Sequence, residues 1–253
     1  METCRRVFFC LFFSGIIRKN VFTQLFVPQT SQSSQDRRAE LDVRLAVSSA
    51  QSACGMEDFM KLLIVVDMQN DFVTGSLGTK EAQAIVENVI CKIKETPAEQ
   101  IYVTQDTHPE QYLQTKEGHH LPVAHCIEGT DGHCLCPAVE QALKEKQVDA
   151  ARKIQKPTFG SMELIEKLRS DEKIVGDSNL QIELVGLCTG ICVLSNAILC
   201  KAAFPEADVI VDAAACACVT PASHDTALAA MKLCQIEVEK EGKEPWRNEN
   251  IES

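Results

Sequence analysis

The chain has no cluster of basic residues. Its 36 Asp and Glu outnumber 25 Lys and Arg, for a formal net charge of −11, so the electrostatic footprint of a nucleic-acid-binding protein is missing. A membrane span is missing as well. The apolar run from Val7 to Ile17, between Arg5-Arg6 and Arg18-Lys19, is too short to cross a bilayer. Internal repeats are absent, which sets aside solenoid architectures. What the chain does have is hydrophobic content, 45% over 253 residues. That is enough for one sizeable domain or two small ones, and too much for global disorder. It also has 13 cysteines. Several, such as Cys91, Cys200 and Cys234, sit among aliphatic residues in helix and strand patterns, where free cysteine acts as a small buried hydrophobe. This usage predicts reduced thiols and a cytoplasmic protein rather than a disulfide framework.

Residues 1–58 differ from the rest. The Val7–Ile17 run has the positive flank and length of a signal h-region, but Arg18-Lys19-Asn20 follows where a small-x-small cleavage site belongs. Gln29 to Ala50 is polar and rich in Ser, Gln and Arg. Two readings stay open: an unstructured extension upstream of a true start at Met56 or Met60, and a targeting leader. A folded domain is expected over 59–245, with 246–253 as a tail.

From Met60 the pattern alternates. Strands are predicted at 61–67, 101–104, 151–156, 182–187, 209–213 and 235–238. Helices are predicted at 82–94, where Ile85, Val89 and Ile93 share a face, and at 138–146, 162–168, 192–203 and 224–231. Strand–helix alternation implies crossover units, hence an α/β fold: a three-layer α/β/α sandwich around a mainly parallel, Rossmann-like sheet. Ligands of such sheets bind beyond the carboxyl ends of the strands. The first strand ends in Asp67, and the strand ending at Leu187 leads into Cys188-Thr189-Gly190-Ile191-Cys192. An acid and a thiol in these positions suggest Asp67 as a base and Cys192 as a nucleophile. Placed at a helix start, Cys192 is expected to have a lowered pKa, and the N–H groups around it to bind an oxyanion.

Three further features carry chemistry. Lys156, ending a short strand before Pro157, could stabilise both a thiolate and a carboxylate, or be an ordinary surface lysine. Asp106 and His108 lie two apart in an extended segment, so they point the same way. A carboxylate and an imidazole on one face suit Zn, Fe or Mn, and His119, His120 or His125 could add a ligand. A competing structural zinc site could form from His125-Cys126 and His133-Cys134-Leu135-Cys136, although the spacing departs from standard finger patterns.

Five segments, in order, resemble those of the isochorismatase-like cysteine hydrolases, nicotinamidase branch. They are Val65–Phe72, Thr104–Pro109, Pro122–Thr130, Lys156–Ser161 and Gly186–Val193. The resemblance covers about residues 60 to 240. It implies a catalytic triad of Asp67, Lys156 and Cys192, and an oxyanion hole from the backbone N–H groups of Cys188 and Cys192. It also implies a cis peptide at Leu187–Cys188 and one divalent metal, zinc before iron or manganese, held by Asp106, His108 and His125. Phe72, Phe159 and Leu121 would line the substrate pocket. The implied activity is hydrolysis of nicotinamide to nicotinate and ammonia through a cysteine thioester, a step of NAD salvage. The implied partner is a small amide, with neither nucleic acid nor membrane; homo-oligomerisation is left open. Many relatives carry Asp at the position of Gly190, Trp at that of Leu121 and His near Cys136. The rivals are a cysteine amidase for a carbamoyl or ureido compound, a non-catalytic zinc or thiol protein, and isochorismate hydrolysis, whose ether cleavage does not call for a thiol at position 192.

Overall fold

A computed structural model describes residues 59–247 apart from 172, 173 and 175; the extension or leader expected over 1–58 lies outside the described residues. Six parallel strands form one sheet: β1 (Met60–Val66), β2 (Ile101–Asp106), β3 (Lys153–Lys156), β4 (Leu180–Leu187), β5 (Asp208–Ala217) and β6 (Glu237–Glu239). Their order is β3-β2-β1-β4-β5-β6, that of a doubly wound dinucleotide-binding sheet, with its topological switch between β1 and β4. The α/β sandwich expected from the alternation is therefore the fold.

The helices are α1 (Asn70–Val73), α2 (Lys80–Ala84), α3 (Val86–Glu95), α4 (Lys116–His120), α5 (Pro137–Glu145), α6 (Met162–Ser170), α7 (Leu194–Ala203) and α8 (Pro221–Leu233). Among the described residues no helix is long and apolar enough to cross a membrane. Strand β1 explains why its sequence is continuously apolar rather than alternating. Leu62, Ile64 and Val66 pack on one face with Leu164, Leu168, Ala197 and Leu228, from α6, α7 and α8. Leu63 and Val65 pack on the other with Val89, Ile93, Val139 and Leu143, from α3 and α5. A strand covered on both faces needs apolar side chains in both directions. Glu183, the one charged residue within β4, is buried but paired with Lys61 and Lys92.

The elements depart from the sequence expectations in several places, three of which shape the domain. The helix expected over 82–94 begins earlier, where the Thr79 hydroxyl accepts from the Ala82 N–H. It is then divided at Ile85, whose N–H bonds back to the Gln83 carbonyl. Strand β5 is longer than expected because its pairing with β4 shifts: between Leu184↔Val211 and Gly186↔Cys216, β5 holds extra residues, a bulge that turns the strand end. The domain's packing also runs past position 245, since Trp246 is buried and Arg247 pairs with Asp225 and Glu244.

Gly186 sits at this bulge with φ +116°, opposite Val66 in the β1–β4 register. A Cβ there would lie 2.1 Å from the Val66 carbonyl oxygen. Only glycine lets β1 and β4 close up just before the residues that follow them. Gly186→Ala combines a disfavoured backbone region with a backbone clash. It is expected to cost about 3 kcal/mol or more, read as a lowered denaturation midpoint at unchanged slope.

Candidate active site

Parallel register carries four strand ends to one place. Asp67 follows β1, and its N–H donates to the Thr104 carbonyl of β2. Asp106 ends β2 opposite Lys156, which ends β3. Cys188 follows β4, with the Leu187–Cys188 peptide cis. All of them stand at the carboxyl edge of the sheet, beside the switch point.

The Asp67 backbone lies in the left-handed region, φ +47°, a conformation that Asp tolerates better than most residues. Its carboxylate is fully buried. Oδ1 accepts from the Thr104 hydroxyl at 2.7 Å, and Oδ2 faces Lys156 Nζ at 2.6 Å. Lys156, itself buried, also reaches Asp106 Oδ1 at 3.4 Å and Cys192 Sγ at 3.5 Å. It is no surface lysine. Against the cost of burial, the charges of Asp67 and then Asp106 keep its ammonium protonated, with a raised pKa. The sequence places Asp67, Lys156 and Cys192 far apart, and the fold gathers them so that the Lys156 ammonium reaches both the acid and the sulfur.

Cys192 corrects one sequence expectation. It is not at an α-helix start but inside a π-helical turn, Thr189–Val193, that precedes α7; such wide turns recur at functional sites. Its pKa is not lowered. Burial first, then the Asp67 carboxylate, push the thiol well above its ordinary value, with Lys156 opposing them. Burial and the neighbouring Asp67 carboxylate favour the thiol over the thiolate, which sets an acid beside its base. Asp67 itself is raised, by burial above all and against the pull of Lys156.

Asp106, His108 and His125 are buried and offer ligand atoms that all lie within 4.8 Å of one another. Asp106 Oδ2 is 2.9 Å from His108 Nε2 and 3.6 Å from His125 Nε2. His125 Nδ1 sits 2.8 Å from the Val123 carbonyl; donating there leaves Nε2 as the free lone pair, the usual outer bond of a metal-binding histidine. The donor set fits a divalent ion. The rival zinc cluster does not assemble among the described residues. Cys136 is buried in the core, exposed Cys134 bonds the Thr130 carbonyl, and His133 Nε2 meets the Thr107 hydroxyl. The ten described cysteines are all free thiols.

Sequence reasoning missed several supporting residues. Gln69 is buried and grips Asp106 from both sides, accepting from its N–H at 2.7 Å and donating to its carbonyl at 2.8 Å. Asp71 accepts the Cys126 N–H at 2.8 Å, tying down the residue after His125. Glu117, in α4, stands 3.7 Å from His108 Nε2. The signal for Gln69 and Asp71 was their place just after the first strand; Glu117 had none. A cavity of about 210 Å³ opens over this group, lined by Asp106, Glu117, His125, Cys188 and Cys192. Phe72, Leu121 and Phe159 also line it, Phe72 buried and the other two exposed. At Gly190 a Cβ would lie 3.3 Å from the Ala227 Cβ and 3.4 Å from Cys218 Sγ. Helix α8 thus packs directly on the turn, in the space an Asp would need.

A family model described as the isochorismatase domain matches residues 61–240. An uncharacterized isochorismatase family protein, PncA, from Bacillus subtilis (strain 168) is 31% identical over 147 residues, 54% of this chain and 76% of that protein. Among solved structures, the nicotinamidase PncA of Bacillus subtilis is 26% identical with a TM-score of 0.59, over 71% of this chain and 98% of its own. The pyrazinamidase/nicotinamidase of Streptococcus mutans UA159 is 26% identical with a TM-score of 0.60, over 70% of this chain and 99% of its own.

Proposed function

Since this chain belongs to the isochorismatase family, we propose that it is a nicotinamidase, hydrolysing nicotinamide to nicotinate and ammonia as a step of NAD salvage. The observation that carries the reading is the convergence of Asp67, Lys156 and Cys192, with Lys156 Nζ 2.6 Å from the acid and 3.5 Å from the sulfur. It stands beside a histidine–carboxylate trio that suits a pyridine nitrogen's partner ion. The solved relatives are named for the same activity.

The residues act as follows. Asp67 takes the Cys192 proton as the sulfur attacks the carboxamide carbon, and the new S–C bond leaves a negative charge on the carboxamide oxygen. The N–H groups of Cys188 and Cys192 are the donors assigned to that oxygen, each such donor supplying about 10²–10³-fold. Lys156 offsets the negative charge shared by Asp67 and the sulfur. Asp67 then returns the proton to the amide nitrogen, the C–N bond breaks and ammonia leaves. In the second half Asp67 takes a proton from water, which attacks the thioester; the S–C bond breaks, the proton returns to sulfur, and nicotinate departs. General acid–base transfer of this kind contributes about 10²–10⁴-fold. Asp106, His108 and His125 would hold the divalent ion, zinc by preference, which when bound would orient the ring and withdraw electron density from it. Phe72, Leu121 and Phe159 flank the ring.

Purified protein supplied with zinc and nicotinamide is expected to release nicotinate and ammonia in equal amounts. Release from carbamoyl or ureido compounds but not from nicotinamide would assign the site to the other amidase class. Dialysis against a chelator is expected to raise KM for nicotinamide about tenfold or more, equivalent to about 1.4 kcal/mol of lost ring binding, with recovery on adding zinc.

A further inference from the structure

Behind the nucleophile turn lies a chain of buried polar groups that the reaction above does not use. Thr189 opens the turn, and its Oγ1 is 2.8 Å from His224 Nδ1. The other ring nitrogen, Nε2, is 3.3 Å from Glu244 Oε1. Thr189, His224 and Glu244 are all fully buried. Glu244 is in turn held by Arg247 and by the Gly242 N–H at 3.2 Å, and Trp246 sets its ring edge-on to His224 with centroids 5.3 Å apart.

The hydrogen-bond directions follow from chemistry. Arg247 keeps Glu244 ionised, below its ordinary pKa despite burial, so the carboxylate only accepts and Nε2–H donates to it. Burial keeps His224 neutral, so Nδ1 carries a lone pair and the Thr189 hydroxyl donates to it. Acid, imidazole and hydroxyl lie in the order of a hydrolase triad. Yet Thr189 does not line the cavity and meets no solvent, so its oxygen cannot be a nucleophile. What the bond can do is fix the turn. Thr189 is the first residue of the π-helical segment whose fourth residue is Cys192, and Gly190 between them packs against Ala227 of α8.

The geometry points to His224 as a positioning residue for the nucleophile: through Thr189, and braced by Glu244 from the C-terminal segment, it holds the Thr189–Val193 turn in the register that sets Cys192 Sγ against Lys156 and Asp67. This rests on Cys192 being the nucleophile of the amidase reaction. Misplacement of a reacting group by about 1 Å can cost about 10²-fold, which is room for a large effect from a residue that touches no substrate.

The test uses Thr189→Val, Thr189→Ser, His224→Leu and the double variant Thr189→Val/His224→Leu, each confirmed folded by its thermal transition. Two reactions are followed. One is nicotinamide hydrolysis. The other is acylation of Cys192 by p-nitrophenyl acetate, corrected with Cys192→Ala, which reports the nucleophile without the amide. Thr189→Val and His224→Leu are each expected to slow acylation and lower kcat by about tenfold or more, with KM within about threefold. Thr189→Ser, which keeps the hydroxyl, should stay within about threefold of wild type. The double variant should be no slower than the worse single one, because both remove the same bond. The inference is overturned if Thr189→Val keeps both rates within about twofold of wild type, if Thr189→Ser falls as far as Thr189→Val, or if the two losses multiply. Should His224→Leu not fold, the Thr189 pair decides alone. If wild type is acylated but releases no ammonia from nicotinamide, the substrate assignment fails, and the acylation rates still decide the positioning role.

Discussion

Cys192→Ala is expected to lose ammonia release by about 10⁴-fold or more, the scale seen when the nucleophile of a covalent hydrolase is removed. The loss should fall on kcat, because the cavity walls Phe72, Leu121 and Phe159 remain to bind the ring. Rapid quenching of wild type with nicotinamide, followed by intact mass measurement, should show an acyl adduct that Cys192→Ala lacks. The neighbouring thiol will not rescue the variant. Burial, with the help of the nearby Cys218 thiol, pushes Cys188 up to about 12, and of the two cysteines it is Cys192 whose sulfur meets Lys156. Retention of a tenth of the wild-type rate would place the nucleophile elsewhere.

Lys156→Met should be nearly as damaging, for a different reason. One ammonium serves three partners: Asp67 at 2.6 Å, Asp106 at 3.4 Å and Cys192 at 3.5 Å. Methionine fills the space without the charge. The buried Asp67 carboxylate then loses the cation paired with it, a change that typically costs about 3–5 kcal/mol, so the thermal transition should fall. Activity should drop by about 10²-fold or more, because charge developing on sulfur has lost its counterion. The pH profile carries a further signature. Asp67 must be ionised to accept the thiol proton, so kcat/KM is lost as pH falls through its folded pKa. Burial already raises that pKa and Lys156 holds it down. Without the cation it rises further, so the acid limb of kcat/KM should move to higher pH in Lys156→Met. An unmoved limb would show that Asp67 is not the group being titrated.

Much of the site was legible because its chemistry is tied to strand ends. An apolar run that stops at a carboxylate, as at Val66-Asp67, marks where a buried strand meets the sheet's edge, and the same holds for Leu187-Cys188 and Lys156-Pro157. Asp106 and His108 were legible from the period of extended chain. Other features were not, because they depend on contacts between segments distant in sequence. The bulge of β5 against β4 exists only in the pairing of the two strands. The division of the 82–94 helix at Ile85 leaves no break in its apolar spacing. Glu117 and His224 stand in unremarkable helical sequence until the fold sets them beside His108 and Thr189.

The amino-acid sequence by itself determined the kind of sheet, the strand-end places of Asp67 and Cys192, and the shared face of Asp106 and His108. Those follow from local patterning, which side-chain period and strand boundaries encode directly; Lys156 as the amine and His125 as the last ligand were singled out only by the family resemblance. Only the tertiary structure decided the state of the nucleophile. A thiol's pKa depends on what surrounds it in space, and here the surroundings are dry and carry the Asp67 charge. A helix-start argument therefore predicts a lowered pKa, whereas in the fold burial and the Asp67 carboxylate raise it against the pull of Lys156.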